Sequence, residues 1–434
     1  MLADSDTRWK WGALTAYRIQ SDIRLDGYLL RGRATPTVRQ LDEVGARADS
    51  LREIRGVDFV RSVDRTRYDV IVLACVGGAV QAMLHGLARA WQSGTPDAAT
   101  GQHRPVVVTG YVGVVYEKLA DGLLLRHGAD VVLANSRHDA DRFREVYRGV
   151  GADDHSVVEC ALPFLGGARY TGEHTPYTVV FAAQPSVPES RADRTYLLRR
   201  AVEHARTHPD REVLIKLRSK PGEHTTHIEE LPYQKLAAKA PGGLPANCRL
   251  VYGNMGEVLD RTDLMVTVSS TAALESLHRG IPTAVLTDLG VREALGNHHF
   301  LGSGCLASWD ELDAGHRPEP DREWLARQGV AADGSYEKAF DAARARVTVL
   351  REAGLLPPLA PYYTPRTAPG YLPGILARHG LDPHGEPLAG YDAAPEETGG
   401  LRRVARETVR EAARGAYRHG VQRVAPAIRR WGQL

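Results

Sequence analysis

The sequence predicts an α/β chain of two parallel-sheet halves, followed by an irregular proline-rich segment and a basic C-terminal helix. Three observations carry this. Continuous Val/Ile/Leu runs such as Val70-Ile71-Val72-Leu73 alternate with helical patterns, as strands covered on both faces do. The alternation pauses at Leu162-Pro163-Phe164-Leu165-Gly166-Gly167 and restarts after Pro176, so it is made twice. From Leu355 it stops, and residues 355–400 hold nine of the 25 prolines.

In the first half strands are expected at Val57–Val60, Asp69–Ala74, Pro105–Thr109, Asp130–Ala134 and Ser156–Cys160. Helices are expected at Thr37–Ile54, Val80–Trp91, Val115–Arg126 and Asp139–Tyr147. Leu2-Ala3 is a very short opening strand, and an edge is expected to be clipped there. In the second half strands are expected at Thr178–Ala182, Glu212–Leu217, Arg249–Tyr252, Leu264–Val268 and Thr283–Leu286. Helices at Arg194–Thr207, Met255–Leu259 and Ala272–Arg279 fit between them. The expected organisation is therefore two Rossmann-like domains, 1–170 and 171–350, a wrapping segment or linker over 351–400, and a basic amphipathic tail over 401–434. That tail carries nine arginines against two glutamates, with a loose apolar stripe through Leu401, Val404, Val409 and Ala412.

The chain has 434 residues, 43% hydrophobic and 25% charged, with 55 Lys+Arg against 53 Asp+Glu. A net charge of +2 excludes a whole-chain polyanion binder, so no nucleic-acid partner is expected. Four single cysteines (Cys75, Cys160, Cys248, Cys305) argue against a disulfide framework and suit a reducing cytosol. No signal segment opens the sequence, and no apolar run approaches the ~18 residues that span a bilayer. A cytoplasmic protein is expected, with the arginine-rich tail able to lie on an anionic membrane surface at the inner face.

The chemistry is expected where strands end. After the run ending at Val268, Ser269-Ser270-Thr271 opens a helix, with Glu275 one turn inside it. Hydroxyls and amides at a helix start either cap the helix or hold a phosphate, and the triplet favours the phosphate. The strand ending at Lys216-Leu217-Arg218 leads into Ser219-Lys220-Pro221-Gly222-Glu223-His224-Thr225-Thr226-His227. Lys216 and Arg218 suit charge building on a leaving phosphate, and His224 or His227 suits a general acid; a solvated loop reads the same way. Asp4 or Asp6, on the loop after the first strand, is the candidate base for an acceptor hydroxyl, facing the groove between the halves from across the hydroxyl triplet. The loops of Gly110, Tyr111 and Gly113, of Gln184, and of Asn297 and Ser303 are further candidates to line a cleft. No Walker A or G-x-G-x-x-G sequence is present.

The segment from Ser269 to Pro282 resembles the donor site of GT-B glycosyltransferases. With Ala3-Asp4-Ser5-Asp6, Thr109-Gly110-Tyr111-Val112-Gly113, Lys216-Leu217-Arg218 and Leu286-Thr287-Asp288-Leu289-Gly290, it resembles an actinobacterial glycosyltransferase family of GT-B type over residues 1 to about 315. It is distantly similar to bacterial sialyl- and polysialyltransferases, in which a Ser-Ser pair holds the phosphate of a CMP-sugar. Those enzymes carry His-Pro where this chain has Arg218-Ser219-Lys220-Pro221. The resemblance implies transfer of a sugar, with a CMP-activated nonulosonic sugar as first choice, from a nucleotide-sugar donor to a cell-envelope glycan or lipid-linked acceptor. It implies no cofactor and no metal. A nucleotide-sugar epimerase, a CDP-glycerol-type glycerophosphotransferase, or a non-catalytic scaffold binding a glycan or partner would share the architecture.

Overall fold

The computed structural model describes residues 1–32, 34–92, 103–114, 119–220, 223, 229, 231–330 and 335–390. The chain divides into two compact units. The first comprises Met1–Phe164, Arg327–Gly329 and, further on, residues 335–390; the second is built on Leu165–Ala326.

The first unit alternates strand and helix throughout. Its strands are β1 (Leu2–Ala3), β2 (Asp26–Leu30), β3 (Ser50–Ile54), β4 (Val70–Ala74), β5 (Val106–Gly110), β6 (Val131–Ala134) and β7 (Val157–Glu159). Between them run α1 (Asp6–Ile19), α2 (Val38–Val44), α3 (Gly56–Ser62), α4 (Gly77–Gln92), α5 (Leu119–Leu124) and α6 (Arg137–Gly149). The sheet is parallel, in the order β3-β2-β1-β4-β5-β6-β7, with Leu2 opposite both Tyr28 and Leu73. The strand order therefore reverses between β1 and β4. Helices on both faces explain why the central strands are apolar without alternation. On α4 the buried Met83, Leu84 and Leu87 each contribute ~2 kcal/mol by leaving water.

Local chemistry sets the element ends and explains where the sequence reading differs. A helix was expected across Thr37–Ile54, yet α2 stops at Gly45, which adopts φ +70° and so ends the helix with little strain. The remainder becomes the edge strand β3, whose Ser50, Leu51, Arg52 and Glu53 are exposed and carry no buried-strand pattern. A strand expected at Val57–Val60 is instead the helix α3. Its buried Gly56, Val57, Phe59 and Val60 share one helical face, which a four-residue apolar run does not reveal. The helix α1 and the strand β2 had no expected counterpart. Ser5 caps α1 by accepting from the Arg8 amide, and its buried face mixes Trp9, Trp11 and Ile19 with Gly12, Ala13 and Thr15.

The second unit repeats the plan with β8 (Tyr177–Ala182), α7 (Arg191–Thr207), β9 (Arg211–Lys216), α8 (Tyr233–Ala237), β10 (Cys248–Val251), α9 (Met255–Leu259), β11 (Leu264–Thr267), α10 (Ala272–His278), β12 (Thr283–Leu286), β13 (Leu306–Ala307) and α11 (Trp309–Asp313). Its parallel order is β10-β9-β8-β11-β12-β13, reversing between β8 and β11. Both sheets thus have the doubly wound, Rossmann-like strand order.

After α12 (Arg322–Arg327) the chain returns to the first unit. There α13 (Asp341–Glu352) packs on α1 and on the β5–β7 side of the sheet, and α14 (Leu372–Ala377) packs on α4. Leu372, Leu376 and Leu381 are fully buried in the first core. The second domain therefore closes near residue 326, not at the expected 350, because the helix at 341–352 buries its Ala343 and Val347 in the first unit. The prolines of 355–390 lie along this returning stretch, which Arg104 holds by donating to the Pro357 carbonyl. The basic tail over 401–434 lies outside the described residues. Among those described, no helix is long and apolar enough to cross a membrane.

Candidate functional site

Open parallel sheets present ligand-binding loops at the carboxyl ends of their strands, where strand order reverses. Each unit has one such point, and in each a side chain bridges it.

In the first unit the reversal lies between the loops after β1 and β4. Asp4, half-buried after β1, accepts from the Val76 amide after β4 at 2.9 Å and pairs with Arg8 at 3.0 Å. Asp6 lies two residues on, in the first turn of α1, where the Thr7 hydroxyl donates to it. The carboxylate at the reversal is thus Asp4. His379, on the returning segment, is half-buried; burial lowers its pKa, and the Asp4 carboxylate opposes that shift. Its backbone lies against Gly56, where a Cβ would come within 3.0 Å of the His379 Cβ.

Beside Asp4 lies a group that sequence reasoning did not single out. Arg126 is only 4% exposed, and its guanidinium donates to the carbonyls of Gly110, Gly122 and Cys75. The Tyr111 ring stacks over it at 4.0 Å. Burial is the largest influence on this guanidinium and lowers its pKa. Tyr111 donates nothing: its hydroxyl is buried without a hydrogen-bond partner among the described residues, and burial raises its pKa. Asn135 ties the loops together, donating to the Tyr111 carbonyl at 2.6 Å and accepting from Trp11 at 3.2 Å. The glycine at 110 answers to packing, since a Cβ there would lie 2.8 Å from the Leu133 carbonyl and from the Trp11 ring. Gly113 is half-buried on the same loop.

In the second unit Gln184, after β8, bridges to Ser269, after β11. Its carbonyl accepts from the Ser269 amide at 3.0 Å and its amide donates to the Ser269 hydroxyl at 3.2 Å. That hydroxyl donates in turn to the Leu295 carbonyl at 2.6 Å. Ser269 is 1% exposed, so its role is to fix the turn, and the hydroxyl triplet reduces to a pair. Ser270 and Thr271 are half-buried; Ser270 accepts from the Ala272 amide, and the Thr271 hydroxyl bonds to no described residue. Lys216 ends β9, next to β8, and is buried with its ammonium donating to the Leu217 carbonyl at 2.8 Å. Arg218 is exposed two residues on. Glu275 is buried in the first turn of α10. His224 and His227 lie outside the described residues.

The Gln184 turn is held from below by Arg194, a fully buried residue that donates to the carbonyls of Gln184, Pro185 and Pro188 and pairs with Glu229 at 2.9 Å. Two residues expected to line a cleft have other roles. Asn297 is completely buried and staples its loop, accepting from the Arg292 amide and donating to Leu286 and Gly290. Ser303 is also completely buried and accepts from the Cys305 amide.

Two clusters among the described residues have metal-ligand chemistry. In His204, His208 and Asp313 the carboxylate already takes the His204 Nδ1 at 2.5 Å and Arg200 at 2.9 Å, while Arg211 faces His204 Nε2 at 3.3 Å. Two guanidinium ions there supply the positive charge that a cation would bring. Asp153, Asp154 and His155 form a surface group.

Comparison with known proteins places the chain. It shares 14% identity with a putative UDP-N-acetylglucosamine 2-epimerase from Listeria monocytogenes, at a TM-score of 0.51 over 82% of this chain and 97% of that one. It is also similar to the glycosyltransferase of kitacinnamycin (15% identity, TM-score 0.43, 80% and 94%) and to the spinosyn rhamnosyltransferase SpnG (13%, 0.41, 82% and 97%). At 14% identity the first of these likenesses shows the fold alone, two Rossmann-like units as in that epimerase structure. None of the curated proteins matches. The profile of the family described as "Putative glycosyltransferase (DUF6716)" matches residues 1–349, and the chain belongs to that family.

Proposed function

We propose that this protein is a GT-B-type glycosyltransferase that moves a sugar from a nucleotide-sugar donor to a glycan or lipid-linked acceptor of the cell envelope. The observation that carries the reading is the polar set on the carboxyl edge of the second sheet, Lys216 with Ser270 and Thr271, in a chain of this family. As the glycosidic bond breaks, negative charge grows on the leaving nucleotide phosphate. A buried ammonium and pre-placed hydroxyls stabilise that charge without reorganising. Arg218 and the histidines at 224 and 227 belong to the same strand end and are proposed to complete it. The donor proposed first is a CMP-activated nonulosonic sugar, supported by the resemblance of Ser269-Ser270 to the Ser-Ser pair that holds the phosphate in sialyltransferases, with Ser269 fixing the turn and Ser270 proposed to meet the phosphate.

In the first unit Asp4 is proposed as the base that takes the acceptor hydroxyl proton. Held by Arg8 and the Val76 amide, the carboxylate has a fixed orientation, which proton transfer requires. The reaction is proposed to need no metal, so chelation with EDTA leaves turnover unchanged. The basic tail over 401–434 is proposed to hold the enzyme against an anionic membrane at the inner face.

The test is product analysis by mass spectrometry with CMP-, UDP- and GDP-sugars, with and without envelope glycolipid acceptors. Transfer that depends on acceptor is the expected result, and Asp4→Asn lowers it by at least about 100-fold while donor binding persists. Conversion of the sugar nucleotide with no acceptor present identifies an epimerase instead.

A further inference from the structure

The polar set proposed for the donor has two arms. Lys216 ends β9 with Arg218 just after it, and Ser270 and Thr271 follow β11. Both arms trace back to one buried side chain, Arg194, in the first turn of α7. Its Nη1 donates to the carbonyls of Gln184 and Pro185, each at 3.1 Å, and of Pro188 at 3.2 Å. Gln184 in turn accepts from the Ser269 amide, one residue before Ser270. The Nη2 of Arg194 donates to Glu229, between β9 and α8, at 2.9 Å. The guanidinium also lies over the Tyr233 ring, 4.3 Å from its centroid. The next residue, Gln234, donates to the carbonyl of Ser219 at 3.1 Å, and Ser219 directly follows Arg218. On each side, then, one glutamine links what the guanidinium grips to the backbone of a donor arm.

An ion pair this buried is a poor source of stability. The side chains of Arg194 and Glu229 are 1% and 17% exposed, and burial pushes the Glu229 carboxyl up while Arg194 opposes the shift. Such a pair repays little beyond its own desolvation, and apolar residues of similar volume often serve as well or better. The network is also incompletely satisfied. The Arg194 Nε and the Tyr233 hydroxyl are buried and have no hydrogen-bond partner among the described residues. What a guanidinium does supply is a rigid planar fork, which fixes the loops it grips relative to one another.

We infer that Arg194 and Glu229 are positioning residues of the donor site, keeping the arm after β9 and the arm after β11 in register so that both meet the same phosphate. This rests on the glycosyltransferase reading and deepens it: the phosphate is recognised by two loops that one buried ion pair couples. Neither residue touches the donor; each acts through Gln184, Gln234 and the backbone they hold.

The test is calorimetric titration of the full chain with CMP, UDP and GDP, and with cytidine, uridine and guanosine, which lack the phosphate. Glu229→Gln keeps the shape and removes the charge, whereas Arg194→Lys keeps the charge and loses the fork. Each should weaken the preferred nucleotide about tenfold and leave its nucleoside within about twofold, because only the phosphate contacts are misplaced. Equal losses for nucleotide and nucleoside mark a merely structural pair. A double-mutant cycle gives a second readout, which decides where the nucleoside binds too weakly to titrate. In a Lys216→Ala background, Glu229→Gln should weaken the nucleotide by less than about threefold, since the arm it positions has lost its ammonium. Additive effects in that cycle, equal losses, or wild-type nucleotide binding in both single variants overturn the inference and leave the donor-site reading standing. If no nucleotide binds the wild type, the donor-site reading itself fails and the positioning role goes with it.

Discussion

At the scale of single residues, both sheet edges are organised by one bridging side chain each, Asp4 in the first unit and Gln184 in the second. Replacing Gln184 with Ala removes the acceptor of the Ser269 amide and the donor to its hydroxyl, while the bond to the Leu295 carbonyl stays, so Ser269 loses the contact that fixes its turn. A loss of ~1–3 kcal/mol in chemical denaturation follows, with donor affinity falling alongside. A second residue tests the electrostatics. Asp139, in the first turn of α6, is buried with Oδ1 unpartnered among the described residues, and burial pushes its pKa up to about 6. A carboxyl with a raised folded pKa favours the protonated native state. Asp139 therefore costs stability above pH 6, and the cost disappears as pH falls through 6 toward the unfolded value near 4. Asp139→Asn should raise the Tm at pH 8, by an equivalent of ~2 kcal/mol, and leave it unchanged near pH 4. Equal shifts at both pH values would contradict this. The placement of Asp4, Lys216, Ser270 and Gln184 at the carboxyl ends of strands was legible, because polar residues at the end of apolar runs announce themselves. Arg126 was not, since its partners are backbone carbonyls, which leave no trace in a sequence. The burial of Ser269 and Asn297 was equally hidden, because a hydroxyl or amide reads the same whether it faces a ligand or a loop carbonyl.

At the scale of elements, apolar strands such as β4, β5, β6, β8 and β11 were readable from continuous Val/Ile/Leu runs. The edge strand β3 was not, as its four exposed residues, two of them charged, carry no such signal. The helix α3 shows the opposite error, where four apolar residues fit either period. The returning segment is the element with the clearest energetic consequence. Its Leu376 is fully buried against α4 in the first core, far in sequence from the sheet it supports. Leu376→Ala should cost ~2–5 kcal/mol of stability, read by denaturation of the full chain. A cost below ~1 kcal/mol would show that the segment lies on the first unit without supporting it.

At the scale of the whole molecule, one chain carries two Rossmann-like units with the same strand-order reversal and different chemistry at each. The first offers a fixed carboxylate beside a buried arginine, suited to an acceptor and its proton. The second offers an ammonium and hydroxyls, suited to a phosphate that departs. That division of labour is the central claim, and it depends on the second unit holding a nucleotide. The most direct measurement is a thermal-shift panel of the full chain with CMP, CDP, UDP, GDP and their sugars, repeated on Lys216→Ala with Ser270→Ala. At least one nucleotide should raise the wild-type Tm saturably, since a ligand that binds only the folded state stabilises it, and the double variant should need about tenfold more of it. A panel in which no nucleotide shifts the wild type, or in which the double variant responds as the wild type does, would contradict the account.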